Sequence, residues 1–384
     1  MQAVILAAGE GMRVRPLTRS RPKALIPVAN RPIIGYVIDA LIENGIRDII
    51  VVTGYRKEQV TRFLNQLEVP VTVVVQEKQL GTAHALKCAE PKIKGDFLLL
   101  PGDNYIDPGS IAKVLNTRNA MLLKEHPNPS NFGVVLLHEG YITKILEKPL
   151  ESPSFMVSTG IFSLTPRFFE YICGNDITDA VTCMIGKGER IHGVIADDWQ
   201  DAIYPWDLLK LNARLLPHLL PAKEGTVSRN ATITGPVHIG KGTTIGPNTV
   251  ITGPVVIGND CEIGAHSCIM PNTSIGARVS IEPFCLVGNS LLMDDCAIGS
   301  HSRIIDAVIG EGSLLSDHVT TCTSASLMEI GGAVVRPAFG AILGDEVRAG
   351  SFTTFRNCIV GNNATIEDSA RVISSSIPDD ALVI

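Results

Sequence analysis

The sequence is poor in charged and aromatic residues, and it contains neither a long basic run nor a long apolar run. Charged residues make up 19% and aromatic residues 5% of the 384 residues, and the formal net charge is −6. A mildly acidic chain without a basic tract is a poor partner for nucleic acid or an anionic membrane surface. No apolar stretch reaches the roughly 18 residues that a membrane-spanning helix needs, and the run after Met1 resembles a strand, so we expect no signal peptide.

The nine cysteines are scattered along the chain and form no Cys-x-x-Cys pair. This spacing argues against a zinc site and against a thioredoxin-like motif. Cys88, Cys173, Cys268 and Cys285 lie in apolar or repeat contexts, which is typical of buried thiols in a reducing compartment. We therefore expect a cytoplasmic protein. Hydrophobic residues make up 45% of the chain, so packed cores are expected, and a chain of this length predicts about two domains.

Residues 1–220 alternate short apolar runs with helical patterns. This alternation predicts a Rossmann-like α/β domain with a mostly parallel, mixed sheet covered by helices. Ligands of such sheets bind at the carboxyl ends of the strands, so the loops after Ala8 and Leu100 are the candidate site. The predicted strands are Val4–Ala8, Asp48–Thr53, Val71–Val75 and Phe97–Leu100, and the predicted helices are Pro32–Asn44, Lys57–Leu67, Thr82–Ala89 and Trp206–Leu220.

A different rhythm follows a predicted linker at residues 221–225. An aliphatic residue recurs every six positions from Val227 to Val287, often followed by glycine. This period is the signature of a hexapeptide β-helix, which is left-handed, and we place that domain at residues 226–384. The phase continues beyond Met293 with one-residue slips, breaks at about 318–340 and then resumes. Because an interruption of a solenoid often marks a functional loop, the break is a candidate site, and the solenoid itself favours a homo-oligomer.

The loop after the first predicted strand combines glycines with cations. Gly9 and Gly11 follow the strand directly, and Arg13 and Lys23 lie in the same segment. Glycines in this place let backbone N–H groups approach phosphate oxygens. The loop is neither a Rossmann fingerprint, because Val14 stands where the third glycine belongs, nor a Walker A loop. Two glycines and two cations on an acidic chain predict a small anionic ligand.

The run Leu6–Lys23 resembles the signature loop of the sugar-1-phosphate nucleotidylyltransferases. Further segments resemble those of this family, in the family's order, and together they span nearly all of residues 1–210. They are Gln76–Ala85 for the nucleobase, Gly102–Asn104 for a metal, Asn131–Gly133, Glu147–Pro149 and Ser158–Gly160 for the sugar, and Tyr204–Asp207 for the second metal ligand.

The resemblance implies Mg²⁺-dependent transfer of a nucleotidyl group from a nucleoside triphosphate to a sugar 1-phosphate, with release of pyrophosphate. It implies that Arg13 and Lys23 are catalytic cations and that Asp103 and Asp207 hold the metal, with Asn212 as a rival for Asp207. The implied nucleotide-binding residues are Leu6, Ala7, Ala8, Gly9, Gly11, Gln76, Gly81 and Thr82, and the implied sugar-binding residues are Gly133, Glu147, Lys148, Thr159 and Gly160.

The resemblance leaves the substrates open. The Leu-Gly-Thr sequence at 80–82 resembles the uridylyl branch of the family more than the thymidylyl branch, so UTP is favoured over dTTP. Glucose 1-phosphate and N-acetylglucosamine 1-phosphate are both compatible with the sugar segments. A mannose-1-phosphate guanylyltransferase is one alternative. A non-catalytic regulatory or scaffold protein of the same layout is another, although the retained loop cations and metal carboxylates argue for catalysis.

The two-domain layout resembles the bifunctional family that joins N-acetylglucosamine-1-phosphate uridylyltransferase to glucosamine-1-phosphate acetyltransferase. This resemblance implies a trimer formed through the β-helix and acetyl-CoA as a second cosubstrate. It also implies a catalytic histidine that removes a proton from the sugar amine, and His318 is the candidate. The family has a tyrosine where this chain has Thr321, so an acetyltransferase and a trimerising scaffold are both kept as interpretations.

Overall fold

The computed structural model describes residues 1–330 and 332–384, and the chain forms two compact units. Two segments of the first 32 residues, and residues 202–220, belong to the same unit as the β-helix. The domain boundaries at 220 and 226 stay a prediction. The first unit contains Met1–Glu10, Pro22–Leu25 and Ile33–Asp201, and the second contains Gly11–Arg21, Ile26–Pro32 and Ala202–Ile384.

The first unit is built on a nine-stranded mixed sheet flanked by five α-helices. The strands of the unit, nine in this sheet and two (β5 and β11) paired separately, are β1 (Gln2–Ala7), β2 (Asp48–Thr53), β3 (Val71–Val75), β4 (Phe97–Pro101), β5 (Asn104–Ile106), β6 (Ala120–Glu125), β7 (Gly133–His138), β8 (Tyr141–Glu147), β9 (Met156–Leu164), β10 (His192–Ile195) and β11 (Trp199–Asp201). The helices are α1 (Ile33–Glu43), α2 (Lys57–Leu64), α3 (Thr82–Ala89), α4 (Pro108–Leu115) and α5 (Ile177–Gly186). Short 3₁₀ helices cover Lys23–Leu25, Glu90–Lys92, Pro129–Asn131 and Pro166–Tyr171.

The strand order of the sheet is β3-β2-β1-β4-β9-β6-β10-β8-β7, and β5 pairs separately with β11. Strand β1 lies between β2 and β4 and is parallel to both. Strand β9 runs antiparallel to β4 and β6, which makes the sheet mixed. After β1 the chain continues to β2 and β3 on one side of it, and then returns to β4 on its other side. The carboxyl end of β1 is therefore the point where the strand order reverses, and ligands of such sheets bind there.

Apolar helix faces cover the sheet because the periodicity of their sequences places small and branched side chains on one side. Ala83 and Leu86 of α3, and Val181 and Met184 of α5, pack in one core cluster with the side chains of the sheet. The predicted strands and helices of residues 1–100 are present, with ends shifted by at most a few residues. The predicted Rossmann-like α/β architecture is thus confirmed.

The second unit contains a parallel β-helix with three faces, which confirms the predicted left-handed hexapeptide β-helix. Face one consists of Ala222–Lys223, Val237–Ile239, Val255–Ile257, Thr273–Ile275, Leu291–Leu292, Ala307–Ile309, Ala341–Leu343, Cys358–Val360 and Ser376–Ile377. Face two consists of Thr226–Val227, Thr244–Ile245, Glu262–Ile263, Ser280–Ile281, Ala297–Ile298, Leu314–Leu315, Arg348–Ala349, Thr365–Ile366 and Leu382–Val383. Face three consists of Thr232–Thr234, Val250–Thr252, Cys268–Ile269, Leu286–Gly288, Arg303–Ile305, Thr320–Cys322, Thr354–Arg356 and Arg371–Ile373.

The same unit contains α6 (Asp207–Leu215), followed by a 3₁₀ turn at Leu216–His218. It also contains a 3₁₀ turn at Met12–Val14 and a short pair of strands, Pro27–Val28 and Arg31–Pro32. The side chain of Asn212 on α6 is fully buried. Its Oδ1 accepts hydrogen bonds from Ala29 N at 2.9 Å and from Ser274 Oγ at 2.8 Å. The helix is therefore bonded directly to the β-helix.

The interior of the β-helix is a stack of aliphatic side chains and thiols. Ile239, Ile257 and Ile275 are successive members of one stack, and each is fully buried. All nine cysteines are free thiols; Cys261, Cys285, Cys296 and Cys358 are buried, and burial raises the pKa of Cys285 to about 11. These buried thiols pack as small apolar side chains and are unreactive because the thiolate is disfavoured. The expectation that Cys173 is buried is wrong, because its side chain is exposed, and Cys88 and Cys268 are only partly buried.

Two details of the repeat differ from the prediction. Ala222–Lys223, assigned to a linker, is already a strand and pairs with Val237–Ile239. The repeat also remains regular through Thr320–Cys322, so the break begins later than predicted. It consists of two antiparallel strand pairs, Ser324–Ala325 with Ala338–Phe339, and Met328–Ile330 with Ala333–Val335. A segment without inward aliphatic residues cannot be bounded from periodicity alone.

Among the described residues, the helices are too short or too polar to span a bilayer.

Replacing Ile251 by alanine is expected to lower the free energy of unfolding by about 2–5 kcal/mol, because truncation of a fully buried side chain leaves a cavity. The matched control is Val250→Ala on the same strand, whose side chain is 38% exposed. That change is expected to shift the free energy of unfolding by less than about 1 kcal/mol. Urea unfolding followed by circular dichroism measures both, and equal losses would contradict the assigned inward and outward positions.

Candidate functional site

The carboxyl end of β1 is closely packed against its neighbouring strands. Gly102 N donates to Leu6 O at 2.8 Å, and a Cβ on Gly54 would lie 2.8 Å from Ala8 O. At Gly9, by contrast, a Cβ would meet no atom within 4 Å. The strand ends thus converge so tightly that glycine is required beside them, while the backbone at Gly9 opens onto free space. This is the arrangement that lets a phosphate approach main-chain N–H groups.

Lys23 is held between two carboxylates. Its Nζ lies 2.9 Å from an oxygen of Asp103 and 2.7 Å from an oxygen of Asp201, and its side chain is 9% exposed. Burial alone would lower the pKa of Lys23, but the charges of Asp103 and Asp201 and their hydrogen bonds outweigh it and raise the pKa well above its usual range. Lys23 is therefore a permanent cation at neutral pH.

The two aspartates meet because two short strands pair. Strand β5 runs antiparallel to β11, with Asn104 opposite Asp201, so the residue before β5 lies near the end of β11. Asn104 Nδ2 also donates to Thr159 O at 3.2 Å, which fixes the turn that carries Asp103. Asp201 is the residue that the sequence analysis missed. A three-residue strand has no measurable periodicity, and the only signal was an acidic residue at the end of the Trp199–Asp201 segment.

Asp207 and Asn212, the two alternatives for the second metal ligand, form other hydrogen bonds in the structure. Asp207 is in the first turn of α6, where its Oδ2 accepts from Tyr204 N at 3.0 Å, and Lys210 lies 3.8 Å from its Oδ1. Asn212 Oδ1 accepts two hydrogen bonds within the second unit, as described above, and its Nδ2 donates to Asn272 O. The amide oxygen of Asn212 has no lone pair left for a metal.

The donor set around Lys23 fits a Mg²⁺ ion that arrives with a phosphate ligand. In residues 1–330 and 332–384, no three His, Cys, Asp or Glu side chains are grouped so as to hold a metal ion. Mg²⁺ commonly binds one or two carboxylates and completes its shell with substrate phosphates and water. Asp103 and Asp201, both partly exposed and converging on one cation, provide those carboxylates.

The segment after β3 places an amide side chain in a buried position. Gln76 is 3% exposed, and its backbone N donates to Thr53 O at 2.8 Å. Its Nε2 donates to Gly81 O at 3.0 Å and lies 2.9 Å from Nδ1 of His84. His84 is a further residue that the sequence analysis did not assign, because a lone histidine on a helix carries no pattern.

Gly81 and Thr82 connect this segment to the start of α5. Gly81 has a φ of +123°, and a Cβ there would lie 2.4 Å from Asn175 O, so no side chain is compatible with this approach. The hydroxyl of Thr82 accepts from Ile177 N at 2.9 Å and lies 3.3 Å from the carboxylate of Asp176. The Thr82 side chain thus fixes α3 to α5, and its role at the nucleobase stays a prediction.

The predicted sugar segments lie on neighbouring strands of the same sheet. Gly133 pairs with Glu147 across β7 and β8, and a Cβ at Gly133 would lie 3.4 Å from the Glu147 carboxylate. Lys148 forms a 3.1 Å ion pair with Glu147. The register of β9 shifts between Ser158 and Phe162, which marks an irregularity in that strand.

This irregularity of β9 lies against the end of β4. Gly160 has a φ of +78°, and a Cβ there would lie 2.8 Å from Pro101. The hydroxyl of Thr159 is buried and donates to Leu122 O at 2.8 Å. Asn104 links Thr159 to the turn of Asp103, as noted above, so these two predicted sugar residues are brought to the carboxylate pair.

Arg13 lies in the 3₁₀ turn Met12–Val14 and belongs to the second unit, where it is half-exposed. The turn is closed by Gly11, whose φ is +71° and whose carbonyl accepts from Thr18 Oγ1 at 2.9 Å. A guanidinium on a short, internally bonded turn is a suitable partner for phosphate oxygens. The predicted signature segment Leu6–Lys23 is thus shared between the two units.

The segment that contains this turn, Gly11–Arg21, is bonded to the β-helix through its last residue, Arg21. One guanidinium nitrogen lies 2.5 Å from Asp345 and 3.0 Å from Glu311. The hydroxyl of Ser20 also donates to Asp345. Asp345 Oδ1 accepts from Glu311 N at 2.8 Å, so both of its oxygens are used. The end of the segment 11–21 is therefore held to the β-helix by the buried pair of Arg21 with Asp345 and by the half-exposed Glu311.

His318 lies on a regular, exposed corner of the β-helix rather than at the break of the repeat. It is one of five rings that stack on consecutive coils, with centroids 4.6–5.0 Å apart. The hydroxyl of Thr321 is fully buried, accepts from Ile305 N at 2.6 Å and donates to Ile305 O at 2.8 Å. It therefore serves the β-helix backbone. The stacked rings are His266, Phe284, His301, His318 and Phe352.

Comparison with known proteins identifies the class. The sequence profile of the nucleotidyl transferase family matches residues 2–216, and that of the GMPPB C-terminal domain matches residues 251–377. The first match covers more than half of the chain, so the chain belongs to the nucleotidyl transferase family. The prediction of a sugar-1-phosphate nucleotidylyltransferase, resembling the bifunctional two-domain enzymes, is confirmed.

Individual relatives agree with this class. The bifunctional protein GlmU of Methanococcus maripaludis strain C5 is 36% identical, over 100% of this chain and 99% of that protein. The UTP–glucose-1-phosphate uridylyltransferase AglF of Haloferax volcanii is 35% identical over 58% of this chain and 100% of its own length. A crystal structure of a putative glucose-1-phosphate thymidylyltransferase from Bacillus anthracis is 29% identical, with a TM-score of 0.51, and covers 56% of this chain and 94% of that chain.

Asp345→Asn is expected to lower the free energy of unfolding of the second unit by about 2 kcal/mol, because an amide N–H group would face the buried Arg21 guanidinium. The matched control is Asp379→Asn, whose partner Arg19 is 50% exposed. An exposed pair of this kind contributes less than about 1 kcal/mol. Thermal and urea melts compare the two variants, and a control as unstable as Asp345→Asn would show that burial of Arg21 is not the cause.

Proposed function

We propose that the chain transfers a uridylyl group from UTP to a sugar 1-phosphate, giving a UDP-sugar and pyrophosphate. The observation that carries this proposal is the placement of Lys23 between Asp103 and Asp201 at the carboxyl ends of the central strands. A buried permanent cation beside two metal-binding carboxylates suits a reaction between two phosphates. The glycine turn at Gly9 supplies open backbone next to the same strand ends.

The reaction requires alignment and charge stabilisation rather than proton transfer. A phosphate oxygen of the sugar 1-phosphate attacks the α-phosphorus of UTP in line, and the bond from that phosphorus to the bridging oxygen of the β-phosphate breaks. Pyrophosphate leaves with the electron pair. Because the attacking oxygen is already an anion, no general base is needed, and Lys23 keeps its proton throughout.

Each candidate residue is assigned a role in this reaction. Lys23 is proposed to lie against the α-phosphate and the sugar phosphate, and Arg13 to contact the pyrophosphate part through its planar fork. Asp103 and Asp201 are the residues that would hold Mg²⁺. When bound, Mg²⁺ neutralises negative charge that develops on phosphate oxygens. Asp207, predicted from the resemblance, is replaced by Asp201 in this proposal, because the Asp207 carboxylate receives the backbone N–H at the start of α6.

The sugar is proposed to bind beside β7, β8 and β9. In this proposal Glu147 accepts sugar hydroxyl hydrogens and Lys148 balances its charge. Gly133 and Gly160 are kept as proposed sugar contacts, and their lack of a side chain leaves room for Ile145 and Pro101, which a Cβ would approach to 3.2 and 2.8 Å. Glucose 1-phosphate and N-acetylglucosamine 1-phosphate are the proposed acceptors. UTP is favoured over dTTP, and the AglF relative, named for UTP and glucose 1-phosphate, supports that choice.

A pyrophosphate-release screen tests the proposal. The full chain is combined with ATP, GTP, CTP, UTP or dTTP and with the 1-phosphates of glucose, N-acetylglucosamine, mannose and galactose, with Mg²⁺ or with a chelator. We expect release with UTP and glucose or N-acetylglucosamine 1-phosphate, in the presence of Mg²⁺ only. Release with GTP and mannose 1-phosphate would favour the guanylyltransferase alternative, and no release in any mixture would favour the regulatory alternative.

Variants of the two candidate ligands sharpen this screen. Asp201→Asn is expected to lower kcat/KM by about 10²–10³-fold, the range found when a group that stabilises transition-state charge is removed. The matched control is Asp207→Asn, which keeps an oxygen for Tyr204 N and is expected to change kcat/KM by less than about three-fold. A large loss in Asp207→Asn with little loss in Asp201→Asn would return the metal role to Asp207.

A second activity in the β-helix is favoured by one observation, the full-length similarity to proteins named bifunctional GlmU. We propose that such an activity would be an acetyl-CoA-dependent acetylation of an amino-sugar 1-phosphate, with His318 as its base, in a trimer built through the β-helix. Thr321 hydrogen-bonds to the β-helix backbone and does not reproduce the tyrosine of that family. The scaffold interpretation therefore stands beside it. The proposed compartment is the cytoplasm, in keeping with the buried thiols of Cys261, Cys285 and Cys296.

His318→Ala is expected to abolish consumption of acetyl-CoA in the presence of glucosamine 1-phosphate, while UTP-dependent release of pyrophosphate stays unchanged. His301→Ala, one coil away in the same ring stack, is the matched control. Free thiol release with a chromogenic reagent measures the reaction. Wild-type protein that consumes no acetyl-CoA would assign the β-helix a scaffold role only.

A further inference from the structure

A buried amide is held in one orientation at the start of the nucleobase segment. Gln76 follows β3 directly, and its side chain is almost completely enclosed. The Nε2 atom lies 3.0 Å from Gly81 O and 2.9 Å from His84 Nδ1. A carbonyl oxygen can only accept a hydrogen bond, so the nitrogen of the amide must face Gly81.

The same geometry fixes the proton of His84. An amide nitrogen has two N–H donors and no acceptor, so the second one requires a lone pair on Nδ1. His84 must then carry its proton on Nε2. The imidazole is held in place because the first turn of α3 is bonded to the loop before α5, with Ala83 N donating to Asn175 O at 2.7 Å. Both donors of Gln76 are thereby used within the protein.

What is left of Gln76 is its carbonyl oxygen. The described part of the chain supplies no donor to Oε1. Gln79 is the other amide in this segment, and it bonds only to the backbone oxygen of Gln76, at 3.4 Å. Oε1 is therefore an acceptor with a fixed direction, and a ligand that binds next to it must offer an N–H or O–H group.

We propose that His84 is a positioning residue that fixes the Gln76 amide, so that the nucleotide site accepts bases with an imino N–H and rejects bases without one. This inference rests on the proposed function, since it names the base that the site selects. Uracil, thymine and guanine carry a ring N–H at the relevant edge. Cytosine and adenine present a ring nitrogen lone pair there, which would face the lone pairs of Oε1.

The test compares two replacements of His84 that differ only in the Nδ1 acceptor. His84→Asn places an amide oxygen near the position of Nδ1 and is expected to keep the preference for UTP over CTP within about three-fold of wild type. His84→Phe keeps the ring but has no acceptor. It is expected to reduce that preference by about ten-fold, the ratio that one net hydrogen bond supports. Isothermal titration of full-length protein with UTP and CTP in Mg²⁺ gives both ratios.

Kinetics provide a readout that a purely structural defect would not reproduce. Because the base does not take part in the reaction, His84→Phe is expected to raise KM for UTP with little change in kcat. A fall in kcat at constant KM would overturn the assignment, and so would an unchanged UTP to CTP ratio.

A spectroscopic measurement serves if His84→Phe does not fold. Long-range ¹⁵N–¹H spectra of wild-type protein report the tautomer of each histidine, and the His84→Asn spectrum identifies the His84 signals by their loss. We expect the proton on Nε2, and a proton on Nδ1 would overturn the inference.

Binding separates this inference from the proposed function. If UTP binds selectively and His84→Phe loses the selectivity but no pyrophosphate is released with any sugar 1-phosphate, the inference stands and the proposed function fails. If pyrophosphate is released and His84→Phe remains as selective as wild type, the proposed function stands and the inference fails. A wild-type chain that binds no nucleotide would overturn both.

Discussion

The charge balance around Lys23 is the constraint on which the carboxyl end of the central sheet depends. A buried ammonium without partners would lose its proton or leave the interior, and two neighbouring carboxylates without a cation would repel each other. Together they form a stable group that joins the 3₁₀ turn at Lys23, the turn after β4 and the end of β11. Three segments far apart in sequence are thus held together by one buried cation.

The strands around this group are positioned by small residues. Gly102, Gly54 and Gly160 each occupy a place where a Cβ would come within 3.0 Å of a neighbouring strand or turn. The close approach packs the end of β1, the turn after β4 and the irregular strand β9 against one another. In the second unit, the turn that carries Arg13 is held by a different device, the pairing of Arg21 with Asp345 and Glu311.

The architecture could be predicted from the sequence because the spacing of apolar residues shows which side chains face the core. The six-residue repeat located the β-helix, but the expectation that the phase holds to Met293 was wrong, because Leu292 pairs with Ile275 and lies in the interior stack, so the first one-residue slip precedes it. Lys23 and Asp103, recognised through their motifs, lie in contact. Asp201 was not predicted, because its place beside Asp103 comes from the pairing of two three-residue strands. The bonds of Thr82 and Asn212 depend on segments distant in sequence, and no local pattern reveals them.

The uneven length of the β-helix coils has a consequence for how such a domain changes over evolutionary time. Each coil up to Thr273 contains three hexapeptides, and the later coils are one residue shorter, apart from the coil that carries the two hairpins. The interior stacks nevertheless continue unbroken. The turns between the faces of the β-helix therefore tolerate the loss of a residue. The hairpins between Cys322 and Ala341 show that these turns also tolerate insertions. New surface loops can accumulate at the edges of this prism without any repacking of its interior.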